Sequence, residues 1–479
     1  ARVSGKASDL SYVGRTLRHH TFFEMLGNFS FGDYFKQDAI PWAWEFITEV
    51  LKLPKERLTV SVYYKDAESK AIWRDVVGVP EDKIQELDEK DNFWGPPGPS
   101  GPCGPCTEIY YDLGPEFEDP EDRYMEIWNV VCMELFQDVD GKQSPLKSKN
   151  IDTGMGLERI TMVVQGVKNT FETDLLFPIL KRLAEMTGKH YGQDAETDVA
   201  LKIVTDHMRC VAFAVADGIT PSNDGRGYVI RMILRRAVRY GKKLGLNEPA
   251  LFKLVSTIRD IYQMHYPELK SQYGIITDTI KAEERRFLET LDRGTKLLEE
   301  QLDSLKSAKK KTLSGEEAFK LYDTFGFPLE LTIEIAEEQG FQVDEDGFQK
   351  ALEAQKVRAR GAQADKVIVA DQLYADVLKQ HGESKFLGYD TLDADGKIVA
   401  IVANGQLVET FGGVNQPFEL VLDQTPFYPE GGGQVGDQGI LYVADGPHSQ
   451  TVVVKDTKKV GNLIIHHCLF DQGGEIKVG

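Results

Sequence analysis

Apolar and polar positions follow three different rhythms along this chain. Up to about residue 165, short apolar runs such as Leu58–Tyr63, Glu108–Asp112 and Glu126–Met133 stand among aromatics and glycines. They predict strands with intervening helices. From about 166 the period becomes helical: Ile280, Phe287, Leu291, Leu298, Leu302 and Leu305 recur at roughly heptad spacing among charges. That spacing marks one long amphipathic helix, and Lys309, Lys310 and Lys311 follow where a helix C-terminus favours positive charge. Beyond about 385, β-branched runs return at Lys397–Ala403, Phe418–Asp423, Ile440–Val443, Thr451–Lys455 and Leu463–Phe470, divided by Gly, Asn, Asp and Pro turns. These predict a small antiparallel β domain or barrel. The expected fold class is α+β, with domains at 1–165, 166–380 and 381–479.

Composition narrows the class without naming it. With 41% hydrophobic and 28% charged residues, each domain can bury a core in water. No stretch approaches the roughly 18 apolar residues of a membrane-spanning helix, and the polar Ala1–Gly14 segment is unlike a signal peptide. Five cysteines are too few for a disulfide scaffold and fit a reducing compartment. A formal net charge of −20 repels nucleic acid, so any RNA-binding surface has to be a local basic patch.

Such a patch is present in Arg226–Lys243, which holds seven basic residues and no acid. Arg231, Arg235, Arg239 and Lys242 fall on one helical face, and Ile230, Ile233, Ala237 and Leu244 form an apolar stripe on another. The basic face suits an RNA backbone; the alternative is an ordinary solvated surface helix.

Other segments carry candidate chemistry. In Asn150–Arg159 the alternating glycines let a strand approach a flat ligand, and Arg159 can lie over a purine or pair with phosphate; close helix–strand packing would use the same glycines. Within Arg15–Phe35, Arg18, His19 and His20 precede alternating aromatics. This suggests a phosphate-facing end and stacking faces, or an aromatic core strand. Trp42 and Trp44 read as packing residues. Cys103-Gly-Pro-Cys106 has no complementary pair among Cys132, Cys210 and Cys468, so it reads as a structural turn rather than a metal site. His466-His467 lacks ligand spacing in the same way. Asp423–Asp437, with four glycines around Gln434, is either an exposed backbone pocket or a tight β-turn.

Taken together, these segments resemble a known family. Arg2–Phe35 resembles the second half of motif 2 of the class II aminoacyl-tRNA synthetases, and Gly154–Arg159 resembles motif 3. The ordered blocks Arg18–Tyr34, Asp91–Trp94, Gly101–Glu108, Glu126–Asn129 and Asp152–Arg159 are similar to the alanyl-tRNA synthetase family, across the whole chain. The resemblance implies an antiparallel sheet flanked by helices, a helical tRNA-recognition domain, and the start of a small β-barrel editing domain. It implies ATP-dependent activation of alanine to alanyl-adenylate and transfer to the 3′ end of tRNA(Ala), in a bacterial cytoplasm or an organelle matrix or stroma. The alternative is a non-catalytic fragment that binds the acceptor stem. A free-standing hydrolase of mischarged tRNA would need a zinc motif that the family places after Gly479.

The resemblance also assigns residues. Arg2 is expected on the ATP α-phosphate, Lys6 in the adjoining loop, Phe23 on adenine with Arg159 on its other face, and Gly154 and Gly156 beneath the nucleotide. Trp94, Asn129, Val131 and Asp152 are expected to line the alanine pocket, Asp152 facing the ammonium group. Asn223 and Asp323 match residues that read a G·U pair in the acceptor stem, with Arg231, Arg235, Arg239 and Lys242 on the RNA backbone. Mg²⁺ is expected with ATP, and zinc only in the later part of an editing domain. Two departures stand out. The loop Arg2-Val-Ser-Gly-Lys6-Ala-Ser-Asp-Leu10 lacks the family's His and Asn, and the family's motif 1 belongs before Arg2.

Overall fold

The computed structural model describes the chain apart from residues 1, 4–8, 97, 99, 224, 414–415, 431–434, 446–447 and 471–472. It forms two compact units, Ala1–Phe348 and Gln349–Gly479. Among the described residues no helix is long and apolar enough to cross a membrane.

The first unit is built on a sheet of eight strands: β1 (Met25–Leu26), β2 (Phe29–Phe31), β3 (Leu58–Tyr63), β4 (Ile84–Leu87), β5 (Phe93–Trp94), β6 (Gly101–Asp112), β7 (Tyr124–Gln137) and β8 (Gln143–Gly156). The order is β1-β8-β7-β6-β3-β4, with β2 also on β8 and β5 on β6. Every pairing is antiparallel except β3 with β4. The period-two alternation gives the sheet two faces. On one, Ile109, Val130, Cys132, Ile151 and Met155 pack with Ile40, Ile47 and Trp73 in the core. On the other, Asn129, Asp152, Gly154 and Gly156 are only partly covered.

Cys103-Gly-Pro-Cys106 is not a turn but an irregular stretch inside β6. Gly104 explains the irregularity: a Cβ there would stand 2.0 Å from the Cys132 carbonyl oxygen on β7, so the two backbones meet closer than any side chain allows. All five cysteines are free and buried. The aromatics of the Arg15–Phe35 segment divide. Phe22 stacks on Phe213 with ring centroids 4.6 Å apart, whereas Phe29 and Phe31 are 53% and 87% exposed, so they are not core.

Helices complete this unit. Tyr273–Ser307 runs as the heptad-like spacing predicts, burying Ile280, Phe287, Leu291, Leu298 and Leu302. Ala195–Ala216 is buried through most of its length and packs against Gly225–Lys243. The basic face of Gly225–Lys243 is not a solvated stripe. Arg235 and Arg239 are only 7% and 8% exposed. Arg235 pairs with Glu283, as does Arg231 at 3.1 Å; Arg239 pairs with Glu338 at 2.6 Å, and Lys242 with Asp292. Acids on Tyr273–Ser307 and Leu329–Glu338 stand opposite the cations, so charge that looked available to an RNA backbone is spent within the fold.

In the second unit a six-stranded antiparallel sheet has the order Gln406–Val408, Ile398–Ala403, Phe418–Leu422, Leu463–Phe470, His448–Val460, Gly439–Asp445. The sheet is open; no barrel closes among the described residues. Ile401, Phe418, Leu420, Val454 and Phe470 form its core. His466 is buried there, its Nδ1 3.1 Å from the Leu420 carbonyl and its Nε2 2.9 Å from Thr425 Oγ1. Gln434 and Gly431, Gly432 and Gly433 lie outside the described residues.

Candidate active site and RNA-facing residues

Strand register assembles the partly open face of the sheet. Val131 stands opposite Asp152, and Asp152 opposite Phe29; one row along, Asn129 lies between Glu108 and Gly154. Trp94 reaches the same neighbourhood from β5, paired with Gly104. Residues far apart in sequence thus become neighbours because β6, β7 and β8 are long and in register. Asn129 donates from Nδ2 to Glu108 Oε1 at 2.7 Å, and the Tyr110 hydroxyl donates to the other carboxylate oxygen. Burial, reinforced by the charge of Glu126, pushes the Glu108 carboxyl up to about 8. Burial also raises the pKa of Asp152.

Beside this row lies a cleft open to solvent. Its lining gathers Arg2, Arg18, His19, His20, Phe23, Met25, Glu126, Ile127, Gly154, Gly156, Glu158 and Arg159. The mixture of aromatic, glycine and cationic walls suits a nucleotide. His19 reports the local field: burial, then the positive charges of Arg18 and Arg159, lower its pKa to about 4. The imidazole is therefore neutral near pH 7, in surroundings that favour anions.

Each wall has a local cause. β8 ends at Gly156, and the helix Leu157–Gln165 begins there, so Arg159 projects from a first helical turn over the strand's open glycines. Arg159 Nη1 donates to the Glu126 carbonyl at 3.0 Å and to its carboxylate at 2.9 Å, which fixes the guanidinium. Glu158 is buried against Arg209 at 2.7 Å and accepts from the Glu24 amide at 3.2 Å. The Arg2 amide donates to the Thr21 carbonyl at 2.7 Å, tying the first described residues to the Arg18–Phe23 wall. Lys6 lies outside the described residues.

Of the residues singled out in the sequence, the cleft brings together Arg2, Arg18, His19, His20, Phe23, Gly154, Gly156 and Arg159, whereas Trp94, Asn129, Val131 and Asp152 are not in its lining. Glu108, Glu126 and Glu158 were missed as site residues. A glutamate inside a strand-like or helical run carries no sign of what it will pair with; only its partner in the fold (Asn129, Arg159 or Arg209) reveals its place.

The residues expected to face RNA form a second neighbourhood. Pro221–Asn223 precedes the helix Gly225–Lys243, and Arg231 grips it by hydrogen bonds to the Asn223 side chain and, at 3.1 Å, to the Pro221 carbonyl. The Tyr322 hydroxyl reaches the Asn223 carbonyl at 3.5 Å. Asn223 is thus brought to Tyr322, the residue before Asp323, and Asn223 and Asp323 are both exposed.

The family model described as tRNA synthetases class II (A) matches residues 1–479. The chain is 48% identical over 476 residues to an alanine–tRNA ligase of Desulforamulus reducens, covering 96% of this chain and 53% of that protein. To the alanine–tRNA ligase of Geobacillus thermodenitrificans it is 45% identical over 493 residues, covering 100% and 55%. To that of a Synechococcus strain it is 47% identical over 478 residues, covering 98% and 53%. The chain spans about half the length of the curated relatives it matches. A matching family model from end to end, an antiparallel sheet flanked by helices, and a cationic, aromatic cleft on that sheet agree: the chain belongs to the class II (A) tRNA synthetases.

Proposed function

We propose that this chain carries the alanine-activating site and the acceptor-stem surface of an alanine–tRNA ligase. The observation that carries the reading is the single cleft uniting Arg2, Arg18 and Arg159 with Phe23, Gly154 and Gly156, next to the strand row of Asn129, Val131 and Asp152. In the activation step an alanine carboxylate oxygen attacks the α-phosphorus of ATP. One P–O bond forms, the bond to the leaving pyrophosphate breaks, and an alanyl-adenylate results. Arg2 would neutralise charge on the α-phosphate, Phe23 would stack on adenine, and Arg159, held by Glu126, would cover the other face of the ring. Asp152 would receive the substrate ammonium, whose charge returns its raised pKa toward the ordinary carboxylate range. Val131 and Trp94 would limit the side chain to a methyl group.

Mg²⁺ would supply further neutralisation of the triphosphate. The two carboxylates that line the cleft are already engaged, Glu126 by Arg159 and Glu158 by Arg209, so the ion would be held chiefly by the nucleotide's own phosphates. The 3′ hydroxyl of tRNA(Ala) would then attack the alanyl carbonyl and release AMP. Asn223 and Asp323, both exposed, support recognition of base edges in the acceptor stem; a chain that bound the stem without chemistry would keep this surface alone. The second unit fits the opening of an editing region. Alanine-dependent exchange of pyrophosphate into ATP tests the reading. Exchange that does not depend on alanine, or its absence alongside intact binding of an acceptor-stem hairpin, would leave the binding-module reading standing instead.

A further inference from the structure

A chain of buried polar side chains runs from the cleft into the helical part of the first unit, and the reaction sketched above makes no use of it. Its centre is Asp206, fully buried on the helix Ala195–Ala216. Its carboxylate accepts from the Thr21 amide at 3.0 Å, from the Thr21 hydroxyl, from His20 Nδ1 at 3.0 Å and from His207 Nδ1 at 2.9 Å. On the far side of His207, Nε2 lies 2.9 Å from Arg236 Nη1. An arginine can only donate, so this nitrogen accepts, and the ring proton sits on Nδ1, facing Asp206. Arg236 in turn holds Glu334 in a two-pronged pair at 2.7 and 3.1 Å.

The cleft end of this chain bears directly on the nucleotide. His20 lines the cleft, Thr21 holds the Arg2 amide, and Phe23 follows two residues on. We propose that Asp206 is a positioning residue for the nucleotide: by gathering His20 and Thr21 it sets the wall that carries Arg2 and Phe23, and it is itself held by the relay His207–Arg236–Glu334. The inference rests on the nucleotide reading of the cleft.

The donor set explains why a charge is kept in the core. Burial alone would raise the Asp206 carboxyl pKa; the hydrogen bonds from His20 and His207 outweigh burial and hold it well below the ordinary range. A fully satisfied buried network fixes one geometry, and a half-satisfied one does not. Removing either anion, Asp206 at the centre or Glu334 at the far end, should therefore loosen the wall of the cleft without touching the ligand. Glu334 sits beyond Arg236 and is absent from the cleft lining, so its effect on the nucleotide can only be transmitted.

The experiment measures the Kd for ATP by calorimetry, and KM for ATP and for alanine in pyrophosphate exchange, in the wild type, Asp206→Asn, Glu334→Gln and Glu334→Asp. Asp206→Asn should weaken ATP roughly tenfold or more and Glu334→Gln roughly threefold to fivefold, with KM for alanine within about twofold in both. Glu334→Asp should recover part of the loss. A folded Glu334→Gln protein that binds ATP as the wild type does, or that loses ATP and alanine affinity alike, overturns the proposal even if its melting temperature falls. Should Asp206→Asn fail to fold, Glu334→Gln decides alone. Normal ATP binding without alanine-dependent exchange would count against the alanine reading and leave the relay to be judged on Kd.

Discussion

Arg235 donates from Nε to Glu283 Oε1 at 2.8 Å, and both side chains are buried between the helices Gly225–Lys243 and Tyr273–Ser307. Arg235 also donates to the Gly326 carbonyl and lies 5.0 Å from the ring centroid of Phe287. The pair is a structural joint. Glu283→Gln should destabilise the protein by about 3–5 kcal/mol, because the guanidinium is left buried without its counter-charge. Chemical denaturation measures it. Arg235→Met combined with Glu283→Leu should cost less, since the buried Arg235 guanidinium leaves with its partner and Arg231, which also loses Glu283, keeps its bonds to Asn223 and the Pro221 carbonyl.

The same burial changes the expectation for RNA. Neutralising Arg235 and Arg239 should lower stability and leave the salt dependence of hairpin binding nearly unchanged, because those cations release no ions from the RNA. Asn223→Ala and Asp323→Ala should reduce discrimination between acceptor stems with and without the G·U pair by about 1–3 kcal/mol, again with the salt slope intact. A salt titration on both hairpins separates the two groups. A slope that falls by about 0.7–0.9 for each arginine removed would restore the phosphate-contact reading.

Asp152→Asn should raise KM for alanine by an amount equivalent to about 2–3 kcal/mol, with little change in KM for ATP. It removes one charge-assisted bond to the ammonium and leaves the cationic cleft in place. Pyrophosphate exchange at varied alanine gives the comparison, and equal shifts in the two constants would count against the ammonium assignment.

Two glycines on neighbouring strands should respond differently to alanine. Gly104→Ala places a Cβ against the backbone of β7 and should cost at least the about 1–3 kcal/mol of an overpacked core. Gly154→Ala meets only the flexible Met25 Sδ, at 2.8 Å. It should fold and instead weaken ATP, because the methyl enters the cleft. Melting temperature and KM for ATP should therefore move in opposite variants.

His466 supplies a pH prediction. Burial lowers its pKa from 6.5 to about 4, so this imidazole takes up a proton near pH 6.5 in the unfolded chain and stays neutral until about pH 4 in the native one. Its contribution to stability is thus full above pH 6.5 and lost as pH falls through that window, by roughly 2–4 kcal/mol in all. Unfolding free energies between pH 4 and 7 should slope less steeply with pH in His466→Asn than in the wild type.

Local pattern alone settled much of this protein. The strands Leu58–Tyr63 and Leu463–Phe470, the long helix through Phe287 and Leu298, and the glycine strand leading to Arg159 are written in period and turn chemistry, which depend on near neighbours. The ordered blocks from Arg18 to Arg159 likewise pointed to the family that the comparisons bear out. Tertiary structure decided what each charge meets. The spacing of Arg231, Arg235, Arg239 and Lys242 defines a helical face but cannot say whether water or Glu283, Glu334 and Glu338 lies across from it. That difference turned an expected RNA surface into an internal seam. Asp206 is the sharper case: a lone acid in the sequence, it becomes the hub of His20, Thr21 and His207 only because a helix packs behind the cleft. Burial and partner choice are long-range properties, set by which elements pack together, and a linear pattern does not contain them.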